Sequence, residues 1–187
     1  MIFDFQTISE ELLFLQEKDV FQLLSKNADE FTRSDYGEGC YSYESKENMV
    51  SLYGQNAHLY MEFNSEGEMY ACFWRCYYGP DESELAYGTA CQIIAEYDNL
   101  YEAEPLAVPD QTFRGQYADY NEFFKNLLPP PSINTYGTYW KDINGIFRDL
   151  KMIVNKEEGA VLSVGYGEVA GFNISEGVYM KIRRGCL

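Results

Sequence analysis

The fold is decided by residues 57–77, AHLYMEFNSEGEMYACFWRCY, which hold two strand patterns joined by a turn. Residues 57–63 alternate strictly, which is typical of a half-buried strand. One predicted face holds Ala57, Leu59, Met61 and Phe63, and the other holds His58, Tyr60 and Glu62. The Asn-Ser-Glu-Gly run at 64–67 predicts a turn, and the aromatic-rich residues 68–77 predict the next strand. This stretch therefore predicts an antiparallel meander.

The residues before this stretch extend the meander and add a helix. Residues 40–45 and 48–53 predict two short strands, with a turn at 54–56. Further upstream, Thr7 and Glu10 have the spacing of a capping box, and leucines recur after them. We expect a helix over 8–26, with a break near Asp19.

The residues after the meander predict two helices and a loop. Asp81 and Glu84 resemble a second capping box, and apolar residues recur at helical spacing over 82–97, so we expect an amphipathic helix there. Residues 98–118 predict a loop. Residues 120–128 predict a short helix that the three prolines at 129–131 terminate, and this triple proline marks a candidate subdomain boundary.

The last part of the chain combines one helical pattern with two alternating patterns. Trp140, Ile143, Phe147 and Leu150 have helical spacing, whereas 160–166 and 178–183 alternate and predict a late hairpin. Strands occur in runs, so we predict an α+β fold: an antiparallel meander sheet packed with helices in a single domain. Its acidic part would cover 1–128, and 132–187 would add a helix and a hairpin to the same core.

Charge is the strongest compositional signal. The chain of 187 residues has 30 Asp and Glu against 14 Lys and Arg, a net charge of −16. Residues 1–110 hold 22 of the acids and only 5 of the bases. Nucleic acid and anionic membrane surfaces need cationic patches, so we exclude both as partners. A basic protein is the natural complement, and the alternative explanation is that the charge serves solubility.

Cysteine usage indicates a compartment. The five cysteines are an odd number, no signal-peptide pattern precedes them, and no apolar stretch reaches membrane-spanning length. We therefore expect reduced thiols and a cytoplasmic location.

No motif in the sequence predicts catalysis, a metal site or a cofactor. The single histidine, His58, lies on the polar face of a predicted strand without identifiable catalytic partners. Cys72 and Cys76 would be roughly 13 Å apart on one strand, too far for one metal ion. Gly165, Gly167 and Gly171 depart from the spacing of a dinucleotide-binding loop, and a glycine-rich loop explains them better.

Two stretches that mix acids with tyrosines are the candidate partner-binding sites. Tyrosine offers rigid contact area and carboxylates pair with arginine, so this mixture is typical of a surface that binds a basic protein. The alternative for each residue is a solvated charge beside a half-buried ring. The first stretch supplies Asp35, Tyr36, Glu38, Tyr43 and Glu44, and the second supplies Glu96, Tyr97, Asp98, Tyr101, Glu102 and Glu104.

In composition and charge profile the chain resembles the bacterial toxin-immunity proteins as a class. The resemblance involves no motif, so it implies no residue roles. It implies a protein that neutralises a basic toxin, such as a nuclease, by occluding its surface. Two other functions stay open: a hydrolase that uses carboxylates in an aromatic cleft, and a DNA mimic whose carboxylates replace phosphates.

Overall fold

The computed structural model describes residues 1–104, 117–141 and 146–168, with only the backbone for 102–104 and 139. The α-helices in these ranges are α1 (Phe5–Leu12), α2 (Glu17–Leu24), α3 (Ser83–Leu100) and α4 (Tyr120–Asn126). The first six strands are β1 (Phe3–Asp4), β2 (Phe31–Gly37), β3 (Cys40–Ser45), β4 (Val50–Leu52), β5 (Gln55–Phe63) and β6 (Met69–Tyr78). The others are β7 (Glu102–Glu104), β8 (Asn134–Lys141), β9 (Phe147–Asn155) and β10 (Gly159–Gly167).

These strands form one mixed, mostly antiparallel sheet. The order along its main path is β1-β4-β5-β6-β10-β9-β8-β7, and β3 pairs with both β5 and β2. The pairing of β1 with β4 is parallel. The long strand β6 lies in the middle, between β5 and β10. The hairpin of β2 and β3 therefore lies towards one edge of the sheet and β7 at the opposite edge.

All four helices contribute to a single hydrophobic core on one face of the sheet, the core face. The alternating side chains of β5 point there as predicted: Ala57, Leu59, Met61 and Phe63 are all buried in the core. The helices add buried residues of their own, including Leu12, Val20, Ile93 and Phe123. The α+β prediction is confirmed, and helices with one apolar side explain why they cover the sheet.

The opposite face of the sheet, the second face, is more polar but is also largely buried. Tyr60, Tyr70, Ala71 and Phe73 form a second, smaller apolar cluster. Glu62, predicted on the polar face of its strand, is 1% exposed. Polarity alone therefore does not indicate which face of this sheet meets solvent.

The predicted helix over 8–26 is two helices, and its break is not at Asp19. Asp4 caps α1 by accepting a hydrogen bond from the Thr7 backbone, so the helix begins before the predicted capping box. The chain leaves the helix at Phe14, where φ is 69°. There the Phe14 N–H donates to the Met69 carbonyl and the Met69 N–H to the Leu15 carbonyl. These pairings with β6 replace helical hydrogen bonds.

The predicted helix around 140–150 is wrong, since Trp140 lies within β8 and Leu150 lies within β9. The alternation of Leu150, Met152 and Val154, all buried on the core face, is the pattern that prevails. The predicted strand 160–166 is β10, which pairs with β6 and β9. Residues 178–183, its predicted hairpin partner, lie outside the described residues.

Other boundaries shift less. Helix α3 continues to Leu100, and β7 occupies part of the predicted loop 98–118. Residues 105–116 of that loop lie outside the described residues. The triple proline separates α4 from β8, yet β8 joins the same sheet as the strands before it.

No described helix is long and apolar enough to cross a membrane.

The cysteines differ from the expectation of reduced thiols at one position. Cys40, at the start of β3, is disulfide-bonded, and Cys186 lies outside the described residues. Cys72, Cys76 and Cys91 are free thiols, and burial raises the pKa of each.

Candidate functional site

Three of the four helices on the core face, α1, α3 and α4, carry a concentrated negative charge, whereas α2 has an exposed cation, Lys18. Along α1, α3 and α4, with the turn before α3 and the capping residues, the exposed side chains include ten carboxylates and a single cation, Lys125. We call these carboxylates the acidic helical surface: Asp4, Glu10, Glu11, Asp81, Glu82, Glu84, Glu96, Asp98, Asp119 and Glu122. Ranges 4–12 and 80–100 contain no Lys or Arg at all, so nothing within these elements neutralises them.

At the N-terminal end of α3, carboxylates from two helices surround two tyrosines. The rings of Tyr87 and Tyr120 are 5.9 Å apart between centroids, which joins α3 to α4. Burial raises the pKa of Tyr87 to about 12, and the charges of Asp119 and Glu122 add to this shift. Burial also raises the pKa of Tyr120, with a contribution from Glu84. The acids and the rings thus form one electrostatic cluster.

At the C-terminal end of α3, the predicted stretch divides into exposed acids and a buried ring. Tyr97 is fully buried and packs edge-on against Trp140, with 5.0 Å between ring centroids. The indole N–H of Trp140 donates to Asp98 Oδ1 at 2.7 Å. Glu96 is exposed and has no hydrogen bond or ion pair within the described chain. Glu96 is therefore free to meet a partner, whereas Asp98 also supports the fold.

A buried arginine, which the sequence did not single out, lies beside these residues. The Arg148 guanidinium is 4.6 Å from the centroid of Tyr101 and 4.3 Å from that of Tyr166. Its Nη2 donates to Glu10 Oε1 at 2.7 Å, while Nε and Nη1 are buried without an acceptor in the described part. The Arg148 side chain is 2% exposed and the Glu10 side chain 59%. This ion pair ties α1 to β9 and orients Tyr101.

For the rest of the second stretch, the structure describes only the backbone. Glu102 and Glu104 lie on β7, opposite Lys141 and Tyr139 of β8. Their side chains lie outside the described residues, so their role in binding stays a prediction.

The first predicted stretch lies in the β2–β3 hairpin, away from β7. Asp35 is exposed and pairs with Arg33 at 3.0 Å. Glu38 is exposed in the turn, with φ of 51°. The Tyr36 hydroxyl contacts the hydroxyls of Ser42 and Tyr60 and is half-buried.

The last two residues of that stretch face opposite sides of the sheet. Tyr43 is buried on the core face, where its hydroxyl donates to Glu17 at 3.0 Å. Glu44 accepts a hydrogen bond from the Tyr77 hydroxyl at 2.5 Å and lies 3.6 Å from Arg75. The structure therefore does not bring the two predicted stretches into one patch, and Glu10 lies beside the second stretch through Arg148, which contacts Tyr101.

The second face of the sheet holds a buried carboxyl group, that of Asp149. Asp149 is 1% exposed, and neither of its carboxylate oxygens has a hydrogen-bond donor in the described chain. The backbone of Gly165 lies near enough to the carboxyl to influence its pKa. Burial raises its pKa well above the usual value; the Gly165 backbone and Lys151 oppose the shift, and Glu62 adds to it. The cavities found among the described residues are lined by other side chains.

No family model, curated protein or solved structure matches this chain.

Proposed function

We propose that this protein binds a basic protein through the acidic helical surface and that it is an inhibitor of the immunity type, which covers a cationic surface of a toxin such as a nuclease. The observation that carries the proposal is the charge of that surface, ten exposed carboxylates against the single exposed Lys125. A surface of one sign attracts a partner of the opposite sign from a distance and rejects partners of its own sign.

The dimensions of the surface suit a protein partner. Helix α3 has 18 residues and is thus roughly 27 Å long. Carboxylates cluster at both of its ends, and the exposed residues between them, such as Gly88, Gln92 and Ala95, are uncharged. An uncharged centre with a charged rim is the usual composition of a protein interface, in which each partner contributes about 800 Å².

The test uses charge reversal at positions where the fold does not need the carboxylate. Asp98 is unsuitable because it accepts the Trp140 hydrogen bond. We choose the triple variant Glu11→Lys, Glu84→Lys and Glu96→Lys, whose carboxylates have no hydrogen bond or ion pair in the described chain. Affinity capture at low salt identifies the basic partner, and calorimetry then gives its Kd for each variant.

A matched control separates the surface from the net charge. The control variant carries Asp29→Lys, Glu47→Lys and Glu66→Lys, three exposed positions outside α1, α3 and α4, and has the same net charge as the test variant. We expect the test variant to weaken binding about 100-fold or more, since each tenfold step is about 1.4 kcal/mol, and the control to weaken it far less. Equal losses in both variants, or no basic protein captured by the unmodified protein, would contradict the proposal.

A further inference from the structure

A groove between α1 and α2 lies next to the acidic helical surface. It has a volume of about 310 Å³ and is lined by Phe3, Asp4, Thr7, Ile8, Glu11 and Leu23. Known small-molecule pockets cover about 300–1,000 Å³, so this groove is at the small end and suits one or two side chains.

The walls of the groove are apolar and its charges are all negative. Ile8 is buried and Leu23 half-buried, while Asp4 and Glu11 are exposed. Asp4 accepts hydrogen bonds from the Thr7 backbone and hydroxyl, and Glu11 has no described polar partner. No Lys or Arg lines the groove.

Helix α2 carries one exposed cation, Lys18, which does not line the groove. Asp19 is one turn before Leu23 on the same side of the helix and adds negative charge. Lys26, one turn after Leu23, is paired with Glu30. The lining of the groove therefore combines apolar side chains with two carboxylates and no cation.

We infer that this groove holds an apolar anchor residue of the basic partner, with a lysine or arginine next to the anchor in the partner's sequence. The inference rests on the proposed function and specifies the partner's contact segment. The groove's carboxylates pair with the basic residue, and Phe3, Ile8 and Leu23 receive the apolar side chain. Anchors of this kind, seated in a pocket beside charged groups, carry much of the energy of protein interfaces.

The probe is a short fluorescein-labelled peptide with two leucines four positions apart and lysines beside them. Two matched peptides serve as comparisons: one has serine in place of leucine, and the other has glutamate in place of lysine. Fluorescence anisotropy with the full-length protein measures Kd, and methyl NMR follows the signals of Ile8 and Leu23. We expect saturable binding of the first peptide with shifts at both methyl groups, and binding about tenfold or more weaker for each comparison peptide.

Protein variants locate the contact. Glu11→Lys should weaken binding of the leucine–lysine peptide about tenfold, whereas Glu47→Lys should leave it nearly unchanged. Leu23→Gln should weaken it as well, and the serine peptide supplies the same comparison on the unmodified protein if that variant folds poorly. Equal binding of the leucine and serine peptides, or unshifted Ile8 and Leu23 methyl signals, would overturn the inference. If the Leu23→Gln variant still captures the basic protein but the triple charge-reversal variant does not, the groove is not the contact site, while the proposed function is unaffected.

Discussion

Removing the Glu10 carboxylate leaves the buried Arg148 guanidinium without its ion-pair partner. A hydrogen bond to a charged group contributes about 1.5–3 kcal/mol. The Glu10 side chain is 59% exposed, so water replaces part of the lost contact. We therefore expect Glu10→Ala to lower the free energy of unfolding by about 1.5 kcal/mol, at the low end of that range. Glu11→Ala, at an exposed neighbour without a described partner, should change it by less than about 0.5 kcal/mol.

Replacing the arginine itself should cost little more. Arg148→Met loses the ion pair and two cation–π contacts, each of the latter about 0.5–2 kcal/mol. It also removes Nε and Nη1, two buried N–H groups without acceptors that each cost about 1–3 kcal/mol. These contributions oppose each other, so the variant should be within about 2 kcal/mol of the original protein.

A double-mutant cycle with urea unfolding, followed by tryptophan fluorescence and circular dichroism, measures the coupling. On the Arg148→Met background, Glu10→Ala should have almost no effect, which gives a coupling energy of about 1.5 kcal/mol. If Glu10→Ala costs the same on both backgrounds, Glu10 does not act through Arg148 and the reasoning fails.

Three further perturbations test other contacts. Burial raises the pKa of Asp149 in the folded protein above its value in the unfolded chain. The folded protein therefore gains stability from the protonated carboxyl below the ordinary Asp pKa, and it loses that stability as pH rises through the folded-state pKa. The stability of Asp149→Asn relative to the original protein should therefore increase from about pH 5 to about pH 8, and a pH-independent difference in urea midpoints would count against this. Asp98→Ala should cost about 1–3 kcal/mol in urea unfolding and alter the emission of Trp140, which loses its acceptor; an unchanged midpoint would mean that the bond contributes nothing. Gly165→Ala places a Cβ 2.3 Å from Asp149 Oδ1 and should destabilise the protein by about 1–3 kcal/mol. Gly88→Ala, which has open space around it on α3, should stabilise the protein by about 0.5–1 kcal/mol. Equal shifts of the melting temperature in the two variants would be inconsistent with this packing.

Where one physical pattern dominated, the sequence predicted the structure well. Strict alternation placed β5 correctly, and the helical spacing after Glu82 predicted α3, although its end was three residues short. The pattern around Trp140 misled because helical spacing and alternation overlap there, and pairing with β9 decides in favour of a strand. Strand β2 was missed because its central residues are exposed, as expected at a sheet edge, so no apolar alternation marks it.

The candidate site was less predictable because its contacts join distant parts of the chain. Glu10 and Arg148 are 138 positions apart, and no local pattern connects them. Composition alone points to the acid–tyrosine stretches, and composition does not show that Tyr97 and Tyr43 are buried while Glu96 is exposed. The sequence shows how many negative charges the chain carries but not where they lie, since the spacing that predicts the helix 82–97 does not indicate which face of the sheet it covers.

The central position of β6 affects how the protein is made. Its neighbour β10 enters the sheet only after the chain has continued from Tyr78 through α3, α4, β8 and β9 to Gly159. On the ribosome, one side of the middle strand therefore stays without its hydrogen-bonding neighbour until β10 has been synthesised. Nascent chains stalled before Gly159 should consequently remain sensitive to proteases and depend on chaperones, because so distant a pairing is slow to form.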